Sequence, residues 1–300
     1  MLGKKVFLVP GCCLFLVVAV GCATPGMHAE QPLHTSLKDT QGVGVGVEDA
    51  LVELLLSLDR VSDIAYRHET GSGSPVSGGA GEQLLRRYVA GNSVENKPLE
   101  YIVLGDGLDV ILILATIHGN ESAGTPLVLQ LAKYLRQHPL MVRGRTIVLV
   151  PVANPDGKTH NRRFNANGVD LNRNFEVANR LEGGKYGYRV LSEPESRFIY
   201  QLIHRHKPDR IVSIHQPLTC VDYDGPAKVL AECMARYCDL PVRKLGTRPG
   251  SLGSYAGEKL RIPIITFELS GDAASLDSKS LWTRYGNALI AAVLYPDIAK

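Results

Sequence analysis

The stretch Val110-Ile-Leu-Ile-Leu-Ala-Thr-Ile117 is followed directly by His118-Gly-Asn-Glu121. A continuous apolar run of this length predicts a buried strand, which delivers a His and a Glu at its carboxyl end. A second apolar run, Arg210-Ile-Val-Ser-Ile214, delivers His215 in the same way. Two histidines and one carboxylate leave the fourth position of a tetrahedral zinc ion open for water. The sequence therefore predicts a catalytic zinc site formed by His118, Glu121 and His215.

A third apolar run, Ile262-Pro-Ile-Ile-Thr-Phe267, ends directly before Glu268. The carboxyl ends of parallel strands meet at one edge of a sheet, where such sheets bind their ligands. We therefore expect Glu268 beside the zinc ligands. A carboxylate in that position that does not bind the metal is a candidate general base.

The order of the segments predicts an α/β fold. Apolar strand-like runs alternate with helix-like segments, which indicates one domain with a mixed, mostly parallel, twisted sheet flanked by helices. The strands are predicted at 99–104, 110–117, 146–152, 211–214 and 264–267, and the helices at 125–137, 194–206, 227–237 and 280–293. Gly105-Asp-Gly107 between the first two strands predicts a hairpin. We place the domain at residues 83–300.

A long polar loop separates two of the predicted elements. It contains Arg162-Arg163 and then Asn165-Ala-Asn-Gly-Val-Asp-Leu-Asn-Arg-Asn-Phe175. Arginine binds carboxylates bidentately, and an arginine near zinc can stabilise the oxyanion of amide hydrolysis. Arg163, Asn172 and Arg173 are therefore candidate substrate-binding or catalytic residues. A solvated loop without a function is the alternative, which the neighbouring metal-binding pattern disfavours.

The amino-terminal segment predicts a secretory signal over residues 1–21. Lys4-Lys5 precede a short apolar stretch that ends in Ala19-Val-Gly-Cys22, a pattern typical of a cleaved signal and too short to span a membrane comfortably. The end of the stretch resembles a bacterial lipobox, which implies cleavage before Cys22 and a lipid anchor on its sulfur. We therefore expect a protein anchored in the bacterial cell envelope, at the periplasmic face of the outer membrane. The alternative is an ordinary signal peptide in which Cys22 is incidental.

Residues 22–82 are predicted to form a tether between this anchor and the domain. An amphipathic helix is predicted at 47–61, and Gly71-Ser-Gly-Ser-Pro-Val-Ser-Gly-Gly79 has the composition of a flexible linker. The net charge is only +3 and no dense block of Lys and Arg is present, so nucleic acid is not expected as a partner.

Three cysteines remain beyond the predicted lipid site. Cys220, Cys233 and Cys238 do not have the spacing of a zinc site, so they are interpreted as structural. An oxidising compartment permits one disulfide among the three. The sequence does not select the pair.

Five motifs follow one another along the chain: His118-Gly-Asn-Glu121, Asn154-Pro-Asp-Gly157, Asp170-Leu-Asn-Arg-Asn174, Ser213-Ile-His215 and Thr266-Phe-Glu-Leu269. In these motifs and their order the chain resembles, from about Ser93 onward, the zinc metallocarboxypeptidase family typified by carboxypeptidase A. Asn167-Gly-Val-Asp-Leu-Asn-Arg173 and Val221-Asp-Tyr-Asp-Gly-Pro226 further resemble the bacterial murein peptide amidase branch. The resemblance implies one zinc ion per chain and a peptide or murein-peptide substrate.

The resemblance also implies roles for individual residues. His118, Glu121 and His215 would be the zinc ligands, and Glu268 would be the base. Arg163 would polarise the scissile carbonyl, while Asn172 and Arg173 would hold the terminal carboxylate of the substrate.

The chain departs from the family around the expected substrate clamp. Digestive members close a tyrosine over the substrate, whereas Leu245-Gly-Thr-Arg-Pro249 contains none and Tyr255 follows later. Asn120 stands where many members carry arginine. These differences concern the clamp and the side-chain pocket, and leave the zinc ligands and the base intact.

Several functions agree with these motifs. The first is a murein-peptide amidase that cuts the γ-D-Glu–diaminopimelate bond, which the predicted envelope location favours. The second is a general carboxypeptidase, for which Leu252 near the expected pocket would favour apolar termini. The third is a non-catalytic zinc- or peptide-binding lipoprotein, which would have no use for Glu268. A deacylase of N-acyl amino acids is disfavoured by the secretion signal.

Overall fold

A computed structural model describes residues 85–297 of the chain. The described strands form one mixed sheet in the spatial order β1-β2-β4-β3-β5-β8-β6-β7. They are β1 (Arg86–Asn92), β2 (Pro98–Leu104), β3 (Asp109–Ala115), β4 (Arg145–Val150), β5 (Arg210–His215), β6 (Leu218–Asp224), β7 (Val242–Arg243) and β8 (Ile264–Ser270). The central pairs β4-β3, β3-β5 and β5-β8 are parallel, whereas β1-β2, β2-β4 and β6-β8 are antiparallel.

Helices cover both faces of this sheet. They are α1 (Gly124–Gln137), α2 (Pro155–Thr159), α3 (Pro194–His206), α4 (Lys228–Ala235) and α5 (Ser278–Leu294), with a π-helical segment at Gly253–Lys259. The helices α1, α4 and α5 bury apolar residues against one face, and α3 packs with the π-helical segment on the other. The predicted α/β fold with a mixed, mostly parallel sheet is confirmed.

The predicted hairpin between β2 and β3 is wrong. The strand β4 lies between them, antiparallel to β2 and parallel to β3. Gly107 packs so closely on Gly144, the residue before β4, that an added Cβ would lie 1.9 Å from the carbonyl carbon of Gly144. Gly105 and Gly107 are therefore needed because the backbone here runs in close contact with residues 144–145, not because paired strands are joined by a tight turn.

The hairpin of this region is formed by β1 and β2 instead. Its turn is closed by a hydrogen bond from the amide of Ser93 to the carbonyl of Lys97, at 2.8 Å. All but one residue of β1 are exposed. The strand therefore lacks the apolar pattern that predicts a buried strand from sequence.

The parallel arrangement of β3, β5 and β8 places their carboxyl ends at one edge of the sheet. His118 follows β3, His215 ends β5, and Glu268 lies opposite His215 in β8. The expected convergence of these residues is confirmed.

Several predictions fall on residues that the structure does not describe. The signal segment, Cys22, the tether at 22–82 and its helix at 47–61 all lie outside 85–297. Within that range no helix is long and apolar enough to cross a membrane. No disulfide joins Cys220, Cys233 and Cys238, so the one that the sequence permits is not formed among them.

Candidate functional site

The turn that carries His118 and Glu121 is supported by the Asn154-Pro-Asp-Gly157 motif. The side-chain amide of Asn154 donates to the carbonyl of Ile117 at 3.3 Å, and its carbonyl oxygen accepts from the amide of Gly157 at 2.8 Å. Gly119 packs directly on Gly157, where a Cβ would lie 1.9 Å from the carbonyl carbon. Only glycine fits at position 119, and the motif therefore fixes the path of the turn.

The three predicted metal ligands lie together. One ligand atom from each of His118, Glu121 and His215 lies within 4.8 Å of the others, and all three residues are buried. The Nδ1 atom of His118 lies 2.8 Å from Oε1 of Glu121, and the Nδ1 atom of His215 lies 2.9 Å from Oε2. Both rings therefore direct the same nitrogen towards one carboxylate.

The outward nitrogens of the two rings are held by other side chains. The Nε2 atom of His118 lies 3.1 Å from Oδ1 of Asp170, and that of His215 lies 3.0 Å from the hydroxyl of Ser213. Histidine ligands of metals commonly hydrogen-bond through their second nitrogen in this way, which fixes the tautomer and the ring orientation. The donor set and its supports therefore fit a zinc ion.

Asp170 is a site residue that the sequence analysis does not single out. Its motif, Asp170-Leu-Asn-Arg-Asn174, was noted for Asn172 and Arg173 alone. A carboxylate preceding two candidate site residues was the available signal. It was not decisive, because the same carboxylate also accepts from the amide of Asn172 at 3.0 Å as an ordinary turn cap.

The carboxylates of Glu121 and Asp170 are held in the ionised form. Burial would raise the pKa of Glu121, but hydrogen bonds to His118 and His215 prevail and lower it well below its usual range. Burial likewise opposes ionisation of Asp170, but its hydrogen bond to His118 and the charge of Arg163 lower its pKa. The site thus concentrates negative charge where a cation would bind.

Glu268 lies beside the ligand group without belonging to it. Its Oε2 atom accepts a hydrogen bond from the amide of Leu218 at 3.3 Å. Burial raises its pKa, and the hydrogen bond from the amide of Leu218 offsets only part of this effect. A positioned carboxyl group of raised pKa next to a metal group has the properties of a general base.

Arg163 reaches the ligand group from the solvent side. Its Nη1 atom donates to Oε1 of Glu121 at 3.2 Å, and its Nε atom donates to Oδ2 of Asp170 at 2.9 Å. The side chain is 37% exposed. The guanidinium therefore lies at the mouth of the site, beside the predicted metal.

Asn172 and Arg173 join the site through Asp170. They lie in the 3-10 turn Leu171–Arg173, which the side chain of Asp170 caps. The side-chain oxygen of Asn172 accepts from the amide of Leu252 at 2.8 Å, and Arg173 is partly buried. The structure thus places both near the ligands, although neither side chain bonds to a ligand residue.

Two residues considered for the pocket and the clamp are buried elsewhere. Leu252 is 1% exposed and packs in the core under α3. Tyr255 is also 1% exposed, and its hydroxyl lies 2.7 Å from Nε2 of His204. Neither side chain is free to contact a substrate in this conformation.

Comparison with known proteins agrees with a site that binds zinc. A family profile described as zinc carboxypeptidase matches residues 80–223. The murein peptide amidase A of Escherichia coli (strain K12) is 39% identical over 185 residues, which cover 55% of this chain and 74% of the relative. The murein peptide amidase A of Vibrio campbellii is 33% identical over 183 residues, covering 55% of this chain and 71% of the relative.

Solved structures show the same fold. The crystal structure of murein-tripeptide amidase MpaA from Escherichia coli O157 matches with a TM-score of 0.57 and 31% identity, over 69% of this chain and 91% of that one. Carboxypeptidase A from Helicoverpa armigera matches with a TM-score of 0.56 and 18% identity, over 72% of this chain and 70% of that one. The second likeness concerns the fold alone.

Proposed function

The chain belongs to the zinc carboxypeptidase family and is a hydrolase, and we propose that it cleaves the amide bond before a C-terminal residue with a free carboxylate in peptidoglycan-derived peptides. The bond proposed is the one between γ-D-Glu and diaminopimelate. The observation that carries the proposal is the buried group of His118, Glu121 and His215 with Glu268 at its side. The relatives named murein peptide amidase support the choice of substrate.

In the proposed reaction, His118, Glu121 and His215 would hold one zinc ion, and Asp170 and Ser213 orient the two imidazole rings. When bound, zinc would supply Lewis acidity and lower the pKa of water. Glu268 accepts a proton from the attacking water and returns it to the leaving amine. Arg163 stabilises the negative charge that develops on the carbonyl oxygen.

Asn172 and Arg173 are proposed to bind the terminal carboxylate of the substrate. An arginine guanidinium presents two parallel donors to a carboxylate, which fixes orientation as well as adding binding energy. The amide of Leu252 donates to the side-chain oxygen of Asn172, so the orientation of Asn172 is fixed before substrate binds. This anchor would restrict cleavage to the last amide bond of the substrate.

The experiment uses the purified, zinc-loaded protein and identifies products by mass. Incubation with L-Ala-γ-D-Glu-diaminopimelate is expected to release diaminopimelate, whereas hippuryl-type substrates are expected to react more slowly. The matched controls are His118→Ala and His215→Ala, which should lose zinc and activity together.

Three other results would each change the assignment. Faster cleavage of the hippuryl substrates would indicate a general metallocarboxypeptidase. Binding of the peptides without cleavage would indicate a non-catalytic binding protein. Full metal content in both histidine variants would overturn the proposed ligands.

We also propose that Cys22 carries a lipid that anchors the enzyme in the cell envelope. The support is the sequence Ala19-Val-Gly-Cys22 after a short apolar stretch. Cys22→Ser is expected to release the protein from the membrane fraction or to leave an unprocessed precursor. Unchanged mature size and membrane partition would contradict the anchor.

A further inference from the structure

A row of polar side chains continues from the ligand group along the sheet. Glu268 lies opposite His215 on one side and Cys220 on the other, while Thr266 lies opposite Ser213 and Asp222. Residues opposite one another, and residues two apart along a strand, project from the same face. Ser213, Thr266 and Asp222 therefore lie on the face of the sheet that carries the metal group.

This row borders space rather than packed core. Thr266 is only half-buried, although its strand has neighbours on both sides. From strand geometry, the Cα atom of Asp222 lies about 8 Å from that of Glu268, one strand across and two residues back. A side chain of the substrate's last residue could extend over this distance from the metal group.

The segment 245–252 runs between this row and the proposed carboxylate anchor. It begins at Asp222, whose Oδ1 atom accepts from the amide of Leu245 at 2.8 Å. It ends at the proposed carboxylate anchor, where the amide of Leu252 donates to Asn172 at 2.8 Å. The segment therefore connects Asp222 to the residues proposed to hold the substrate's terminal carboxylate.

Asp222 is a buried carboxylate without a paired cation. It is 5% exposed, and it accepts from the backbone amides of Leu245 and Tyr223. The charges of Arg248 and Lys244 lower its pKa, but neither side chain donates a hydrogen bond to it. A buried charge is costly unless it is paired, so a cationic group supplied by a ligand would be bound favourably.

We propose that Asp222 is a specificity residue that binds a cationic group at the end of the substrate's C-terminal side chain. The inference rests on the proposed function, in which that residue is diaminopimelate. The distal ammonium of diaminopimelate, on the fourth carbon beyond the α-carbon, would pair with Asp222. The competing explanation is that Asp222 only fixes the segment 245–252 through Leu245.

The test compares two substrates that differ in the distal ammonium alone: L-Ala-γ-D-Glu-diaminopimelate and the same tripeptide ending in 2-aminopimelate. A charge-assisted hydrogen bond is expected to give wild type about a 10- to 100-fold higher kcat/KM for the first. In Asp222→Asn, which keeps an acceptor for Leu245, the two values should become similar. Zinc content and thermal unfolding check that the variant is folded.

Asp224→Asn is the matched control, because it removes a buried acid two residues further from Glu268 on the same strand face. It should keep the wild-type ratio of the two substrates. Should Asp222→Asn fail to fold, Asp222→Ser keeps a smaller acceptor and should show the same loss of preference.

Equal cleavage of the two tripeptides by wild type would overturn the proposal. An equal loss of activity on both in Asp222→Asn would also overturn it, since that is the result of a purely structural role. If Asp224→Asn loses the preference and Asp222→Asn keeps it, the ammonium is bound by Asp224 and the assignment to Asp222 is wrong. If wild type cleaves neither tripeptide, the proposed function fails instead. Asp222 is then tested by the ratio of kcat/KM for hippuryl-lysine, which has a cationic side chain, to kcat/KM for hippuryl-norleucine, which does not.

Discussion

The carboxylate of Asp170 lies 3.1 Å from Nε2 of His118, and both side chains are buried. Because that nitrogen is engaged, Nδ1 of His118 faces Glu121. The same carboxylate accepts from Nε of Arg163 at 2.9 Å and from the amide of Asn172 at 3.0 Å. Asp170 therefore links the proposed metal ligand, the proposed oxyanion stabiliser and the proposed carboxylate anchor.

Asp170→Asn is expected to weaken zinc binding by about 10- to 100-fold, the usual effect of losing an outer partner of a histidine ligand. The amide can still accept a hydrogen bond, but it removes the negative charge that favours the cation. Zinc affinity is measured by competition with a chelator. Ser213→Ala, which removes only a neutral partner of His215, should have a smaller effect, and an unchanged affinity in Asp170→Asn would contradict the role of Asp170.

Glu268→Gln is expected to retain zinc and fold while losing about 10²- to 10⁴-fold in kcat, the usual contribution of a positioned general base. Glutamine keeps the size of the side chain and can still accept from the amide of Leu218. Single-turnover rates and zinc content are measured on the same preparation. A variant that is nearly as fast as wild type would require another base.

The fold was predictable where buried strands and amphipathic helices carry strong apolar patterns. The helix Pro194–His206 has the predicted bounds, because a proline at its start and an apolar stripe define it. The strand β6, Leu218–Asp224, was not predicted, because acids occupy the face that the pattern needs to be apolar. Those acids are Asp222 and Asp224, so the unpredicted strand carries the proposed specificity residue.

The site was predictable to the extent that its residues lie at strand ends. His118, His215 and Glu268 follow apolar runs, and the sheet brings them together as expected. The partners of these residues, such as Asp170 for His118, come from a loop more than 50 positions away. No local pattern in a sequence specifies such a contact.

Gly250→Ala is expected to destabilise the fold and reduce activity, because it affects the contact between segment 245–252 and Arg173. Its φ is +69°, and an added Cβ would lie 2.1 Å from the carbonyl oxygen of Arg173. Left-handed strain costs about 1–2 kcal/mol and the overlap about 1–3 kcal/mol more. Gly246→Ala is the matched control, because it has a φ of +80° and open space, and it should show the strain alone. Urea unfolding measures both, and equal losses would mean that the close contact is unimportant.

Asp224→Asn is expected to change how stability depends on pH. Burial, with the charges of Asp222 and Glu258, raises the pKa of Asp224 to about 6. The folded state therefore favours its protonated form, so its contribution is full below the unfolded pKa of about 3.8 and is lost as pH rises through about 6. Wild type therefore loses stability at this position between pH 4.5 and pH 7, whereas the variant does not, because asparagine does not ionise. The free energy of unfolding of the variant minus that of wild type should be more positive at pH 7 than at pH 4.5. A difference independent of pH would contradict the raised pKa.

Arg173→Ala is expected to reduce cleavage of substrates with a free terminal carboxylate far more than cleavage of their amidated forms. A charge-assisted bidentate bond is worth on the order of 1.5–3 kcal/mol, so amidation should cost wild type roughly one to two decades in kcat/KM. Without the guanidinium, the free and amidated substrates should become similar. The values are measured with the proposed tripeptide and its C-terminal amide. Equal cleavage of both by wild type would mean that Asn172 and Arg173 do not anchor a carboxylate, and the enzyme would then be an endopeptidase with the same zinc chemistry.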